Sequence, residues 1–526
     1  MIRRALAAAI VLSLAVPAAV QAAPRVVATA RRPAVPLLVG EPEAPLCRLV
    51  VRVEGDGEGE PPRLESLAVG GALPQALRDI RLVRGGGEAG PAAPAEPVAG
   101  ARIEAGRMHL DGGLALDPGD NVFWVVAAIG DDVDLLERVA LTIDGVATSA
   151  GPVAVEDASP VVRQRIGVAL RRHGQDGVHT TRIPVLAATP AGTLLAAYDL
   201  RHRGTRDLQE DIDVGLSRST DGGRTWEPLR TIVDMGEAGG LPQAQNGCGD
   251  PGILVDDVTG RIWVFALWVH GKPGKHQWND DGSEPGWEIG KTAQFMAVHS
   301  DDDGRTWSAP ENLTRSLKEE AWWLFAPAPQ AGFTRADGTL VMPVQGRFAG
   351  GRLDSFATIM TSSDRGATWR LGAFGYRGGN ECQAAELSDG SIMLNVRSDL
   401  QRYRGVAVTA DLGSTWASHP TSDRVLEEPN CNGSLLSLPA AGGRRLLLFA
   451  NPLSQKERSH QSIRASDDDG ATWPEERRIL LDEGRGRGYP SLARVAGDRV
   501  GIVYEGSRAD VVFQVVPLAD LAGEAP

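Results

Sequence analysis

Cysteine is scarce in this chain, with 4 in 526 residues, at positions 47, 248, 382 and 431. They lie far apart and match no zinc-ligand spacing, which excludes a metal-knuckle fold. Free buried thiols are the plainer expectation for them, a pairing that includes Cys248 the alternative. Tyrosine and phenylalanine are also few, 5 and 10. Cations are outnumbered, 54 Lys and Arg against 68 Asp and Glu, for a formal net charge of −14. Such a chain suits neither nucleic acid nor an anionic membrane surface, although a local arginine cluster can still hold a small anion at contact distance. Beyond residue 23 no apolar run is long enough to cross a bilayer.

Three regions follow one another. Met1–Ala23 reads as a secretory signal peptide, with Arg3 and Arg4 as its basic start, Leu6–Val20 as its apolar stretch, and a small-residue cleavage site at Ala22 or Ala23. The mature protein is therefore expected in the periplasm or the medium. Residues 24–45 are rich in Pro and Ala and read as an extended lead-in. Residues 46–160 alternate over short strands (Cys47–Val53, Ile80–Val83, Asn121–Ala127, Val139–Ile143) and predict a small β-sandwich. From 161 to 526 the rhythm changes to strand, turn, strand. The 63 Gly and 34 Pro fit an all-β chain rich in turns.

The phrase Ser/Thr-x-Asp-x-Gly-x-Thr-Trp occurs five times, at Ser219–Trp226, Ser300–Trp307, Ser362–Trp369, Thr409–Trp416 and Ser466–Trp473. It consumes 5 of the 12 tryptophans, so it is a true internal repeat. Each copy reads as one hairpin turn whose aspartate caps the loop's own N–H groups; these aspartates are structural. Six apolar stretches (Gly192–Leu200, Ile262–Val269, Gly338–Val344, Ser391–Val396, Arg444–Phe449, Arg499–Tyr504) each read as an apolar inner strand, hence six blades of a β-propeller. The last blade lacks the phrase, as closure by strands from both ends of the region allows.

The chemistry is sought among arginines at strand ends. Arg182 opens an apolar strand in Thr181-Arg182-Ile183-Pro184, Arg397 ends another, and Arg458 precedes a third, with Arg464 its competitor. Converging on a propeller axis, three guanidinium forks make a clamp for a carboxylate.

From about Val161 onward the chain resembles the bacterial exo-α-sialidases, also called neuraminidases. The resemblance rests on Arg182–Pro184, the five Asp-boxes, Tyr198–Gly215, Asn246–Asp250, Asn380–Arg397 and Gly488-Tyr489. It implies a six-bladed propeller after an N-terminal β-sandwich, and release of terminal α-linked sialic acid from glycans, glycoproteins or glycolipids. No cofactor or metal is implied, and a monomer is expected. Carried over residue by residue, the carboxylate triad falls on Arg182, Arg397 and Arg458. The acid/base falls on Asp207, the nucleophile on Tyr489 and its partner base on Glu381. Arg201 and Asp250 line the sugar pocket, and Glu505 orients Arg182. A tyrosine suits a sugar with a carboxylate on its anomeric carbon, because a carboxylate nucleophile would be repelled; sialidases thereby depart from the paired carboxylates of most glycosidases. Two departures from the family pattern, Tyr489-Pro490-Ser491 and the Cys at 248, bear on substrate preference: another nonulosonic acid, or transfer instead of hydrolysis, would keep the same triad. A propeller that binds sialic acid without cleaving it would lack one of Asp207, Glu381 and Tyr489. His179 and His202 are read as supporting or surface groups, and Trp287, Trp322 and Trp323 as lining the pocket about as readily as filling the core.

Overall fold

The computed structural model describes residues 25–522, apart from 56–59, 89, 92–95, 105, 209, 272–281 and 349–353. The signal-peptide reading of Met1–Ala23 lies outside the described residues. Helix is nearly absent: the described residues hold one short α-helix, Thr314–Leu317, and a few 3-10 turns. None of the helices is long and apolar enough to cross a membrane.

Two sheets form the N-terminal part. One carries Arg25–Arg31, Ala44–Glu54, Gly119–Ile129 and Leu77–Arg84; the other carries Arg63–Ala72, Arg107–Ala115 and Arg138–Thr148. Alternation along each strand sends every second side chain to a shared interior. Leu49, Val51, Phe123 and Val125 from the first sheet meet Leu64, Leu67, Leu141 and Ile143 from the second in one cluster. Arg25–Arg31 runs antiparallel to Ala44–Glu54 along its whole length. The stretch expected to be a lead-in is thus a strand of this sheet, with Pro33 and Pro36 after it, where no ladder N–H is required. The cluster continues into Tyr198, Val503 and Phe513 of the following region, so both parts share apolar packing. Arg31 adds a bidentate pair with Glu483, at 2.8 and 2.6 Å.

The rest of the chain folds into successive antiparallel sheets with a common order. The first is Thr180–Ala188, Leu194–Arg201, Ile212–Ser219 and Arg230–Val233, from inside to outside. The second and third begin at Asn246–Val255 and Trp322–Pro327, the fourth and fifth at Gly379–Glu386 and Ser434–Pro439. In the sixth, Gly488–Val495, Arg499–Glu505 and Val511–Pro517 are completed by Gln164–Arg171, which precedes the first sheet in sequence. First strands face one another around a common centre: Thr180–Ala188 touches both Asn246–Val255 and Gly488–Val495, and Ser434–Pro439 touches both Gly379–Glu386 and Gly488–Val495.

The six apolar stretches read as inner strands are the second strands of their sheets, one place out from the centre. A second strand is covered on both faces by neighbouring sheets, so it reads as an unbroken apolar run; Ile262–His270 is buried from Ile262 through Val269. The innermost strand lies beside the central opening and tolerates glycine, proline and charge.

All five repeated phrases join the third strand of a sheet to its fourth. In each, the aspartate accepts the N–H of the threonine four residues on, between 2.8 and 3.0 Å. The opening Ser or Thr hydroxyl accepts the glycine N–H, as Gly223 to Ser219 at 3.0 Å. That glycine has φ of 89°, and a Cβ there would lie 2.0 Å from the Phe513 ring. Trp226 packs edge-on against Phe513 of the sixth sheet, with ring centroids 5.2 Å apart. Trp369 does the same to Trp263 of the second sheet, at 6.1 Å. The phrase therefore staples the outer hairpin of one sheet onto the neighbouring sheet. The sixth sheet cannot hold it, because its outer pair joins the two ends of the region and no hairpin connects them.

Candidate active site

At one end of the inner strands the ladders slip. The register with the second strand breaks between Arg182 and Val185, between Gly249 and Gly252, between Gly379 and Cys382, and between Gly488 and Ser491. Three of these bulges hold a residue with positive φ: Ile183 at 55°, Asp250 at 51° and Tyr489 at 48°. A proline follows each one, Pro184, Pro251 and Pro490. An inner strand is an edge, so the missing proline N–H costs no ladder bond. Strained non-glycine backbone of this kind persists only where its surroundings over-determine it. Here the bulges turn Arg182, Asp250, Glu381 and Tyr489 toward one place.

Tyr489 and Glu381 meet there from 108 positions apart, the phenol donating to Glu381 Oε1 at 2.7 Å. Arg397 Nη1 donates to Glu381 Oε2 at 2.5 Å and to Tyr489 Oη at 3.1 Å. Asn430 Oδ1 fixes its Nε at 2.6 Å. Arg182 donates from Nε to Glu505 Oε1 at 2.6 Å, and the same oxygen accepts the Ile183 N–H at 2.7 Å. Arg458 is held by the carbonyls of Arg487 and Asn430, at 3.1 and 3.0 Å. Arg182 and Arg458 stand 5.4 and 5.3 Å from the centre of the Tyr489 ring. Three guanidiniums thus surround one phenol. Arg464 goes elsewhere, over Phe449 at 5.8 Å and onto Asn451 at 3.2 Å.

A second group adjoins the first. Arg201, almost fully buried, pairs with Asp207 and donates to Asp199 Oδ2 from Nε and Nη2, at 3.1 and 2.9 Å. Asp199 Oδ1 accepts the Asp250 N–H at 2.7 Å, so one buried carboxylate positions both Arg201 and the Asp250 bulge. Burial pushes the Asp199 carboxyl up to about 6, with Arg201 pulling the other way. Asp250 is pushed well above the carboxylate range by burial, then by Asp199, Asp207 and Glu381. The Tyr489 hydroxyl is likewise held well above its ordinary value by burial and then by Glu381, against Arg397 and Arg458. Tyr489 is a neutral phenol at rest, with a carboxylate in place to accept its proton.

Asp199, Asn430 and Arg487 join this site without having been expected in it. The signal in the sequence is the Xaa-Pro dipeptide inside strand sequence, which marks Ile183, Asp250 and Tyr489, and the Pro429-Asn430 step, where Asn430 takes φ of 58°. Arg487 lies two residues before the nucleophile candidate, half-buried, its carbonyl holding Arg458. His179 bonds Thr180, and His202 bonds Asp213 at 2.8 Å, away from the Tyr489–Glu381 pair. His202, Asp211 and Asp213 present ligand atoms within 4.8 Å of one another, the one grouping among the described residues with the donor set for a cation.

The family model for a BNR repeat-like domain matches residues 192–503. A sialidase of Bacteroides fragilis is 41% identical over 420 residues, covering 79% of this chain and 76% of that protein. The chain belongs to the sialidase family. It is 33% identical over 351 residues to a sialidase of Micromonospora viridifaciens, spanning 63% of this chain and about half, 51%, of that protein. Among solved structures, Hadza microbial sialidase Hz136 superposes with a TM-score of 0.83 at 34% identity, covering 94% of this chain and 100% of that one. As an exo-α-sialidase, a hydrolase on a β-propeller with BNR repeats, the chain carries its repeats on the outer strands and its charged cluster on the inner ones.

The choice left open between pocket and core is decided for two of the three tryptophans of this sialidase. Trp322 and Trp323 are 1% and 2% exposed and belong to the core, Trp322 against Phe325, Phe348, Phe356 and Phe374. They sit on a first strand whose other face meets the neighbouring sheet. Trp287 is half-buried, its indole N–H on the Lys318 carbonyl at 3.0 Å. The four cysteines are buried free thiols; Cys431 packs with Ile183 beside the Tyr489 ring.

Proposed function

We propose that this sialidase is an exported, retaining exo-α-sialidase that removes terminal α-linked sialic acids from glycoconjugates through a tyrosyl-enzyme intermediate. The observation that carries the proposal is the 2.7 Å bond between Tyr489 and Glu381, which no local rule demands across 108 positions. Arg182, Arg397 and Arg458 take the substrate carboxylate, placing the anomeric carbon against Tyr489 Oη. Glu381 accepts the phenol proton as the new bond forms, and Arg397, touching both groups, steadies the charge that develops. Asp207 protonates the departing oxygen, then activates water to break the tyrosyl bond, so two inversions give net retention. Arg201 and Asp250 line the sugar, and Glu505 orients Arg182.

The successive sheets support a reading as six blades, the last closed by Gln164–Arg171, preceded by a β-sandwich that includes Arg25–Arg31. The basic, apolar and small-residue sequence of Met1–Ala23 supports export to the periplasm or medium. We take the enzyme to act as a monomer.

The test is to trap the intermediate. A 2,3-difluorinated sialic acid, which slows hydrolysis of the glycosyl-enzyme, should add its sugar mass to the peptide holding Tyr489. Tyr489→Phe should show no adduct and lose turnover of a fluorogenic sialoside. Label on another residue, or a Tyr489→Phe enzyme with normal turnover, would refute the mechanism.

A further inference from the structure

The segment between Leu194–Arg201 and Ile212–Ser219 carries Asp207 and lies near the surface. Among its described residues from 202 to 210, Leu208 alone is buried, and it is buried completely. Its side chain enters an apolar socket formed by Leu267, Val269, Ala293, Trp323, Leu324 and Ala326. Those residues belong to the second and third sheets, whereas the segment leaves from the first. To reach the socket, the segment crosses the inner strand of the second sheet at Gly247 and Gly249. A Cβ on Gly247 would stand 2.7 Å from the Glu210 carbonyl oxygen, and one on Gly249 would stand 3.2 Å from Leu208 Cδ2. Leu208 also takes φ of 22°, a conformation that an unanchored leucine avoids.

We propose that Leu208 is a positioning residue for the acid/base, a latch that sets where Asp207 stands over the pocket. Consecutive side chains diverge, so seating Leu208 in its socket leaves Asp207 facing the other way, onto Arg201. At the base of the segment the His202 N–H bonds the Asp211 carbonyl at 3.3 Å and Arg201 bonds the Thr205 carbonyl at 2.8 Å, and Leu208 adds the buried apolar anchor beyond them. The inference rests on reading Asp207 as the acid that protonates the leaving group. It adds that reach to the glycosidic oxygen depends on a hydrophobic contact with two other sheets.

Acid assistance matters most when the leaving group is a poor one, which separates positioning from general damage. Leu208→Ala is compared with the unchanged enzyme on sialyllactose, whose leaving group is an alkyl alcohol, and on a p-nitrophenyl sialoside, whose leaving group needs little proton help. We expect kcat/KM to fall about 30-fold or more on sialyllactose and no more than about 3-fold on the aryl sialoside, a partial loss of the roughly 10²–10⁴-fold that general acid catalysis contributes. Leu208→Met, which refills the socket, should restore most of the loss. Equal losses on both substrates, or none, would overturn the latch. Asp207→Ala on the same two substrates separates the layers: if it splits them and Leu208→Ala does not, the latch alone is wrong; if Asp207→Ala gives no split, the acid/base reading fails and takes the latch with it. Should Leu208→Ala not fold, Gly247→Ala, whose Cβ would press on the Glu210 carbonyl oxygen, lifts the segment without emptying the socket and carries the same expected split, with equal losses again overturning the latch.

Discussion

Asp302, in an outer hairpin, is only partly buried and accepts bonds from Ser300, Arg305 and Thr306, all within four positions of itself. Asp199, on the second strand of the first sheet, is completely buried and held by Arg201 and by the amide of Asp250, 51 positions away. One residue type thus serves two purposes. The outer aspartates complete their own turn, and their partners travel with them in the sequence, so the unit can be repeated. The inner one completes a network whose members arrive from different sheets, so it exists once. Repetition in this molecule marks scaffold, and the absence of repetition marks chemistry.

The sharpest way to break that contrast is to remove one inner hydroxyl. Tyr489→Phe should lower kcat/KM by about 10³-fold or more, ~4 kcal/mol of transition-state stabilisation, while the ring keeps its packing and Tm changes little. Steady-state kinetics beside a thermal melt checks this. Retained activity would place the nucleophile elsewhere.

Arg182 tests whether inner residues also bear on stability. Arg182→Ala leaves the buried Glu505 carboxylate without its cation, which should cost about 3–5 kcal/mol of stability as well as most activity. Adding Glu505→Gln should return much of the stability and none of the activity, because the substrate carboxylate still lacks its fork. Denaturant unfolding of both variants decides it; recovery of activity in the double variant would remove Arg182 from the clamp.

Much of this is readable in the chain. The boxes reveal the blade rhythm because a local hydrogen-bonded turn needs fixed residue types at fixed spacing. Of the residues proposed for the site, Arg182, Arg397, Asp207, Glu381 and Tyr489 can be named because each sits in a short motif; Arg458 does not, and the sequence leaves Arg464 beside it as a competitor. Strand depth is not readable in the same way, since hydrophobicity reports coverage on two faces, and the second strand has more of it than the innermost. Asp199 gives no signal because its role lies in whom it meets, Arg201 beside it and an amide 51 positions on. Leu208 looks like any loop leucine until its socket, from two other sheets, is in view.

A smaller effect is expected on the outer side. Asp468→Ala removes the acceptor of the Thr472 N–H and hydroxyl bonds, at 2.9 and 2.7 Å, and should lower Tm by a few degrees with kcat/KM unchanged. A large kinetic effect would break the division between scaffold and site.

The smallest effect is a difference in sign. Hydrogen bonds from the Thr306 side chain and backbone hold Asp302 down at about 2, below its ordinary 3.8, and Asp364 sits at about 2 for the same reason with Thr368. A depressed pKa means the unfolded chain binds protons more readily, so what these groups contribute is present above about pH 4 and lost as pH falls through about 2. Asp199 is raised to about 6 by burial, which Arg201 only partly offsets. Its folded form holds the proton better than the unfolded chain does, so its contribution is full below about pH 4 and lost as pH rises through about 6. Melting temperatures across pH 3 to 7 should therefore diverge in opposite directions. The gap between the unchanged enzyme and Asp302→Asn should narrow toward the acid end. Relative to Asp199→Asn, which cannot titrate, the unchanged enzyme should lose ground between about pH 4 and 6. Parallel curves for the two variants would show that burial at the inner strands and hydrogen bonding at the outer turns do not treat aspartate differently.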